Sequence, residues 1–300
     1  MRIAALAAAC FLVGRGGAKV VDMSIIEDYS LVYDMVSLAL DSRHLAETYD
    51  RVGERQFNHG KELVAELGIA AEQRVLDVGC GTGRLAAHIA SIVGPSGRVA
   101  AIDPLPLRIA LAQKRAPANL HAQVGEAEDL SPFEARSFDV VILNSVFHWL
   151  PEKLEPLRQA LRVLLPGGRI GISTAAADAP HDFELIIEEV FSSSDLADVE
   201  EIPSGTTHKV SSGELRQQLQ AAGFVDVQLE IKTFVDYFED TDAVFAFNDA
   251  SSFGNFLSRL THEQRALAHA LLSEVLERRR TPQGIRLERH LSFAVATRPC

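Results

Sequence analysis

The stretch Arg74-Val75-Leu76-Asp77-Val78-Gly79-Cys80-Gly81-Thr82-Gly83 decides the fold. Its first half is a short apolar run that stops at glycines, the pattern of a strand buried on both faces of a parallel sheet. Leu85, Ile89, Ile92 and Val93 follow on one helical stripe. Strand, glycine turn and helix therefore succeed one another without a linker. Glycines there let the backbone turn tightly and approach a ligand closely. The free N–H groups at the helix start favour an anion. A dinucleotide loop spaces its glycines Gly-x-Gly-x-x-Gly. Here Gly79, Gly81 and Gly83 stand one residue tighter, and Asp77 precedes them. A carboxylate accepts hydrogen bonds from an ammonium, which a pyrophosphate does not carry. An amino-acid tail, with ammonium and carboxylate together, suits such a loop better.

Outward from this loop the alternation continues. Gly94-Pro95-Ser96-Gly97 turns into the strand Arg98–Asp103, and Pro104 opens a helix with Leu107, Ala110 and Leu111. Leu120–Val124 and Phe138–Leu143 read as strands, Leu154, Leu157, Leu161 and Leu164 as a helix. Pro166-Gly167-Gly168 turns into the strand Arg169–Ser173. Strands alternating with helices of this length imply an α/β domain with a largely parallel sheet. Asp103 ends the second strand, where an acid can grip both hydroxyls of a ribose. With Asp77 it points to adenosine joined to an amino acid.

The flanks are helical. Residues 24–71 show apolar faces at Leu31, Met35, Leu38 and Ala39, then at Leu63, Val64 and Leu67, with Gly68 as a left-handed cap. Ser192–Gly205 is polar and acidic and reads as a loop. Ser211 and Glu214 form a capping box before a helix that Gly223 ends, and Phe224–Phe234 is strand-like. Residues 241–281 return to helix, with a second box at Thr261 and Gln264, and Glu288–Arg298 closes the chain as a strand. The expected organisation is an extension over 1–23, N-terminal helices over 24–71, a core over 72–240, a helical insertion over 241–286 and a final core strand over 287–300.

Composition bounds the rest. The 300 residues carry a formal charge of −12, which repels a phosphate backbone and argues against a nucleic-acid partner. The run Glu277-Arg278-Arg279-Arg280 is expected to be a solvated helix end. Cys10, Cys80 and Cys300 are too few and too scattered for a disulfide framework or a zinc site, so no metal is expected. Ile3–Gly14 is apolar behind Arg2, like the core of a short signal peptide, and too short to span a membrane. The alternatives are a disordered extension or an upstream start codon, with structure beginning after Met23.

Asp77 to Gly83 resembles the first motif of class I S-adenosylmethionine-dependent methyltransferases. Asp103 is similar to that family's ribose-binding acid, and Gly125-Glu126-Ala127-Glu128-Asp129-Leu130 to its adenine-holding segment. Phe138-Asp139-Val140-Val141 resembles the fourth strand, and Leu164-Leu165-Pro166-Gly167-Gly168 the motif before the fifth. Ser145-Val146-Phe147-His148-Trp149-Leu150 is similar to the corresponding segment of the branch that includes ubiquinone-type and arsenite methyltransferases. Ser252-Phe253-Gly254-Asn255-Phe256-Leu257 is faintly like the C-terminal part of arsenite enzymes. Those enzymes hold arsenic through clustered cysteines, which this chain lacks. The Asn-Pro-Pro-aromatic motif of amide and adenine N-methylating enzymes is also absent, Asn144-Ser145-Val146-Phe147 standing in its place.

The resemblance implies a Rossmann-like, doubly wound, seven-stranded sheet with the last strand antiparallel, and helical N- and C-terminal elements over the carboxyl ends of the strands. It implies S-adenosyl-L-methionine as cofactor, a small-molecule methyl acceptor and direct displacement. Tyr49, Asp77, Gly79, Cys80, Gly81, Gly83, Asp103, Pro104, Glu126, Ala127, Glu128, Asn144 and Ser145 are its expected contacts, Cys80 through its backbone. His148 is the candidate base, with a structural loop histidine as the alternative. Trp149 is pocket wall or core, Tyr49 a cover or a packing residue, and Phe245, Phe247, Phe253 and Phe256 are pocket, interface or core. A cytoplasmic protein, monomer or homodimer and without stable membrane insertion, is expected. A non-catalytic binding module and a nicotinamide-dependent reductase are the competing readings. Intact Asp77 and Asp103 argue against the first, and the tight glycine spacing argues against the second.

Overall fold

Apolar residues on successive positions of β1 (Arg74–Val78) face opposite ways. Val75 packs with one core cluster, Leu76 and Val78 with another. The same sorting recurs on β4 (Phe138–Asn144), where Val140 and Ile142 join the first cluster and Val141 and Leu143 the second. A two-residue side-chain period on a strand covered on both faces dictates this arrangement. The computed structural model describes residues 38–192, 196 and 208–300. The apolar extension over 1–23, the helical positions Leu31 and Met35, Cys10 and most of the expected loop at 192–205 lie outside them.

The first layer contains α2 (Glu54–Glu66), α3 (Arg84–Val93) and α4 (Pro106–Arg115), and the second α5 (Leu154–Val163) and α7 (Ser212–Ala222). Between them lie β2 (Arg98–Asp103), β3 (Leu120–Val124), β5 (Leu164–Ala175), β6 (Val225–Phe238) and β8 (Gly284–Thr297), in the order β3-β2-β1-β4-β5-β8-β6. The strands from β3 to β5 pair in parallel. β8, the last strand, runs antiparallel to both β5 and β6, as expected. A two-residue β7 (Arg280–Thr281) pairs with β8 off this path and makes the sheet eight-stranded.

The remaining helices are α1 (Arg43–Val52), α6 (Asp182–Ser192), α8 (Thr241–Ser251) and α9 (His262–Glu277). Phe183, Ile187, Phe245, Phe247, Phe256, Leu272 and Ile285 gather α6, α8, α9 and the start of β8 into a third core, the C-terminal cap. Of the four phenylalanines read as pocket, interface or core, Phe245, Phe247 and Phe256 are therefore core of that cap. Both capping boxes form, Ser211 with Glu214 and Thr261 with Gln264, and Gly223 ends α7 at a positive φ. The basic run closes α9 as anticipated: Arg278 pairs with Glu274, Arg280 with Glu277, and Arg279 reaches Asp182 of α6.

Two expectations need correction. Pro166-Gly167-Gly168 does not precede the fifth strand but interrupts it. Phe138 pairs with Leu164 and Val140 with Arg169, so the three residues are accommodated as a bulge within one strand. The helical insertion breaks at 252–261, where Phe253 and Leu257 adopt φ of 59° and 53°. Non-glycine residues hold such angles only where the surroundings fix them.

Candidate functional site

The glycine loop leaves β1 against the end of β2. Gly79 and Cys80 donate their N–H groups to Ile102 O at 2.8 and 2.9 Å. Gly79 has φ of 75°, and a Cβ added there would lie 2.2 Å from Val146 Cγ2. Gly83 begins α3 at φ 77°, and its Cβ would meet Ala112 at 2.7 Å. These two positions exclude any side chain, because the backbone runs directly against the segment after β4 and against α4.

A cleft open to solvent lies over this loop. It is lined by Tyr49, Gly53, Gln56, Phe57, Asp77, Gly79, Cys80, Thr82, Arg84, Leu85 and Asn144. Asp77 is 1 % exposed, and its Oδ2 has no hydrogen-bond partner. Burial, reinforced by neighbouring Asp103, raises the Asp77 carboxyl to about 7. Asp103 takes hydrogen bonds from Gly81 N at 2.8 Å and from Leu105 N at 3.0 Å, which fixes its carboxylate at the end of β2. Burial pushes its pKa up too, against the opposing pull of those backbone donors and of Arg108. The Cys80 thiol is driven well above its ordinary value by burial and stays protonated.

Long-range side-chain pairs assemble the wall opposite the loop. Thr82 Oγ1 donates to Asp50 Oδ1 at 2.6 Å, and Arg115 Nη2 donates to both Asp50 oxygens at 2.7 and 2.8 Å. Asp50 thus ties α1 to the glycine loop and α4. Arg84 donates to Asp50 O at 3.3 Å and pairs with Glu54. Tyr49 lies over the loop, its Cε1 3.2 Å from where a Gly81 Cβ would stand. The Arg108 guanidinium sits between the rings of Tyr49, at 4.2 Å, and Phe253, at 4.6 Å. It also reaches Asp41 at 3.4 Å and Ala250 O at 2.9 Å. Trp149 packs on Phe253 with centroids 4.8 Å apart, so Phe253 faces this cluster rather than the cap core.

Of the expected contacts, Tyr49, Asp77, Gly79, Cys80 and Asn144 come together in the cleft. Gly81 and Gly83 shape the loop beneath, and Asp103 and Pro104 stand at the neighbouring strand end. Glu126 is exposed, Ala127 is buried in the second core cluster and Glu128 is half-buried; the three follow β3, outside the cleft lining. Ser145, at φ 59°, donates its N–H to Ser173 O and shares a hydrogen bond with His59 Nε2 at 2.9 Å. His148 is buried, and Ala175 N donates to its Nδ1 at 3.2 Å. A neutral imidazole accepting at Nδ1 carries its proton on Nε2, so its one basic lone pair is engaged by this backbone N–H, with Thr174 Oγ1 beside it at 3.0 Å. Burial, with smaller contributions from His181, Lys153 and Lys209, holds its pKa well below 6.5.

Sequence reasoning did not name Gly53, Gln56, Phe57, Thr82, Arg84 and Leu85 as contacts. Thr82 was visible inside the quoted loop and Arg84 in the first turn of α3. Gln56 and Phe57 had no signal beyond an amphipathic helix.

Residues 69–223 match the family model described as a methyltransferase domain. An arsenite methyltransferase of Aquipseudomonas alcaligenes is 35% identical over 156 residues, 49% of this chain and 44% of that protein. An arsenite methyltransferase of Halobacterium salinarum is 30% identical over 205 residues, 66% of this chain and 47% of that protein. The chain thus spans about half the length of these curated relatives. The crystal structure of YcgJ from Bacillus subtilis shares the fold at a TM-score of 0.56 and 18% identity, covering 81% of this chain and 99% of that one. With glycine loop, terminal acids and sheet order all in place, the chain belongs to the methyltransferase domain family.

Proposed function

We propose that the protein transfers a methyl group from S-adenosyl-L-methionine to a small-molecule acceptor. The observation that carries this reading is the buried Asp77 carboxylate, whose Oδ2 lacks a partner in the cleft above the glycine loop. An unpartnered buried carboxylate oxygen is costly, and an ammonium group satisfies it. The residues present therefore fit the cofactor. Asp77 would hold the amino-acid ammonium, the start of α3 its carboxylate, and Asp103 the ribose hydroxyls through lone pairs its backbone donors leave free. Glu126, Ala127 and Glu128 remain the proposed adenine contacts, and Pro104 a proposed cofactor contact.

The sulfonium supplies an activated methyl group and its own leaving group. The chain's part is to align and to exclude water. Tyr49 and Phe57 wall the cleft with rings, and the Arg108 cluster ties α1 to the cap beside it. The engaged Nδ1 and lowered pKa of His148 support a positioning role, in which the ring holds the end of β5. This favours an acceptor that brings its own free lone pair. The arsenite relatives support a small acceptor. Arsenite itself is disfavoured, because Cys80 and Cys300 are the cysteines among the described residues, and the first lies in the glycine loop while the second is exposed near the C-terminus.

Titration calorimetry with S-adenosylhomocysteine, comparing wild type with Asp103→Ala, tests the reading. The expected result is micromolar binding that weakens at least about tenfold in the variant, the loss of charge-assisted hydrogen bonds. A folded wild type that binds nothing would overturn it; binding without turnover of any acceptor would favour the non-catalytic module.

A further inference from the structure

Two lining residues of the cleft carry buried oxygens without partners, Asp77 Oδ2 and Gln56 Oε1. Buried polar atoms are nearly always satisfied, so two orphans in one cleft ask for a ligand group. Both are acceptors. The complementary group is rich in donors, and an ammonium, with three N–H bonds and no acceptor, answers both at once. A carboxylate or carbonyl would set oxygen against oxygen.

The Gln56 amide is not a loose side chain. Its Nε2 donates to Ser251 Oγ of α8 at 3.1 Å. The main-chain carbonyl of Gln56 accepts from Asn144 Nδ2 at 3.1 Å, and Asn144 Oδ1 in turn accepts from Ser173 Oγ at 2.7 Å. One turn further along α2, an added Gly60 Cβ would lie 2.8 Å from Leu85 Cδ2 and 3.0 Å from Asn144 Nδ2. The helix is therefore pressed against the carboxyl end of β4, and the Gln56 side chain is anchored to the cap by its Nε2 bond to Ser251. Arg84, the cationic lining residue, is already engaged by Glu54 and Asp50 O.

We infer that Gln56 is a second cofactor-binding residue, sharing the ammonium of the amino-acid end with Asp77 and linking that end to the C-terminal cap through Ser251. The inference rests on the cofactor reading above and assigns a residue from α2, outside the glycine loop, to it.

The test measures dissociation constants of S-adenosylhomocysteine and of 5′-methylthioadenosine, a nucleoside sulfide without the amino-acid end, by titration calorimetry. In Gln56→Leu the first is expected to weaken about tenfold, as for one hydrogen bond to a charged group, and the second to stay within about twofold. Gln56→Glu, which keeps an oxygen, and Ser251→Ala, which leaves Gln56 in place, are expected to retain S-adenosylhomocysteine within about threefold. Unchanged S-adenosylhomocysteine affinity in Gln56→Leu, equal loss of both ligands, or a Ser251→Ala loss as large as that of Gln56→Leu would each overturn the assignment while leaving the cofactor reading intact. A wild type that binds neither ligand would overturn both.

Discussion

The two walls of the cleft are built by different means. On the loop side, backbone conformation does the work: Gly79 and Gly83 hold positive φ, and no side chain fits at either. On the opposite side, α1, α2 and the cap are held by pairs far apart in sequence, Thr82 with Asp50, Asn144 with the Gln56 carbonyl, Gln56 with Ser251 and Arg108 with Asp41. The first wall depends on local geometry, the second on tertiary partners. Substitutions on the two sides should therefore fail differently, the first through strain and the second through lost contacts.

The largest effect is expected at the loop. Gly79→Ala places a Cβ on Val146 at a φ that alanine resists, a strain of about 1–3 kcal/mol. If that strain falls on the ligand-binding conformation, S-adenosylhomocysteine binding should fall about 10- to 100-fold by calorimetry, and the melting temperature should drop by about 5 °C. A variant that binds normally would break the distinction between the walls. The smallest effect on the cofactor is expected at His148→Ala. It strands the Ala175 N–H, costing about 1–3 kcal/mol of stability in denaturant unfolding. S-adenosylhomocysteine affinity should stay within about twofold, and the pH profile of methyl transfer should keep its shape. Disappearance of a titration from that profile would return His148 to the role of base.

The same division explains what could be read from the sequence. The strands β1, β2 and β4 were legible because near-continuous apolar runs reflect burial on both faces of a parallel sheet. Both capping boxes and the left-handed Gly223 were legible because their chemistry lies within four residues. The bulge at Pro166-Gly167-Gly168 was not, since a Pro-Gly-Gly turn and a bulged strand share one local signature and only the β4 register separates them. Phe253 was grouped with three phenylalanines that fill the cap core, because spacing cannot tell which ring the break at 252–261 turns toward Trp149. Gln56 was invisible because its partners, Asn144 and Ser251, become neighbours only when the sheet is assembled.

Asp77 joins both walls, lying in the local motif while facing the cleft that the distant pairs close. Its carboxyl is raised from 3.8 to about 7, so the folded, ligand-free protein holds a proton that the unfolded chain releases between those values. Stability is then greatest below the lower value and declines by roughly 4 kcal/mol as pH rises through about 7. Binding an ammonium needs the carboxylate, so affinity has the opposite slope. The most direct measurement is S-adenosylhomocysteine titration from pH 5.5 to 8.5 on wild type and Asp77→Asn. The account predicts that the wild-type dissociation constant rises about tenfold for each pH unit below about 7, while the variant binds weakly and without that slope. A flat wild-type profile, or full affinity in Asp77→Asn, would contradict it.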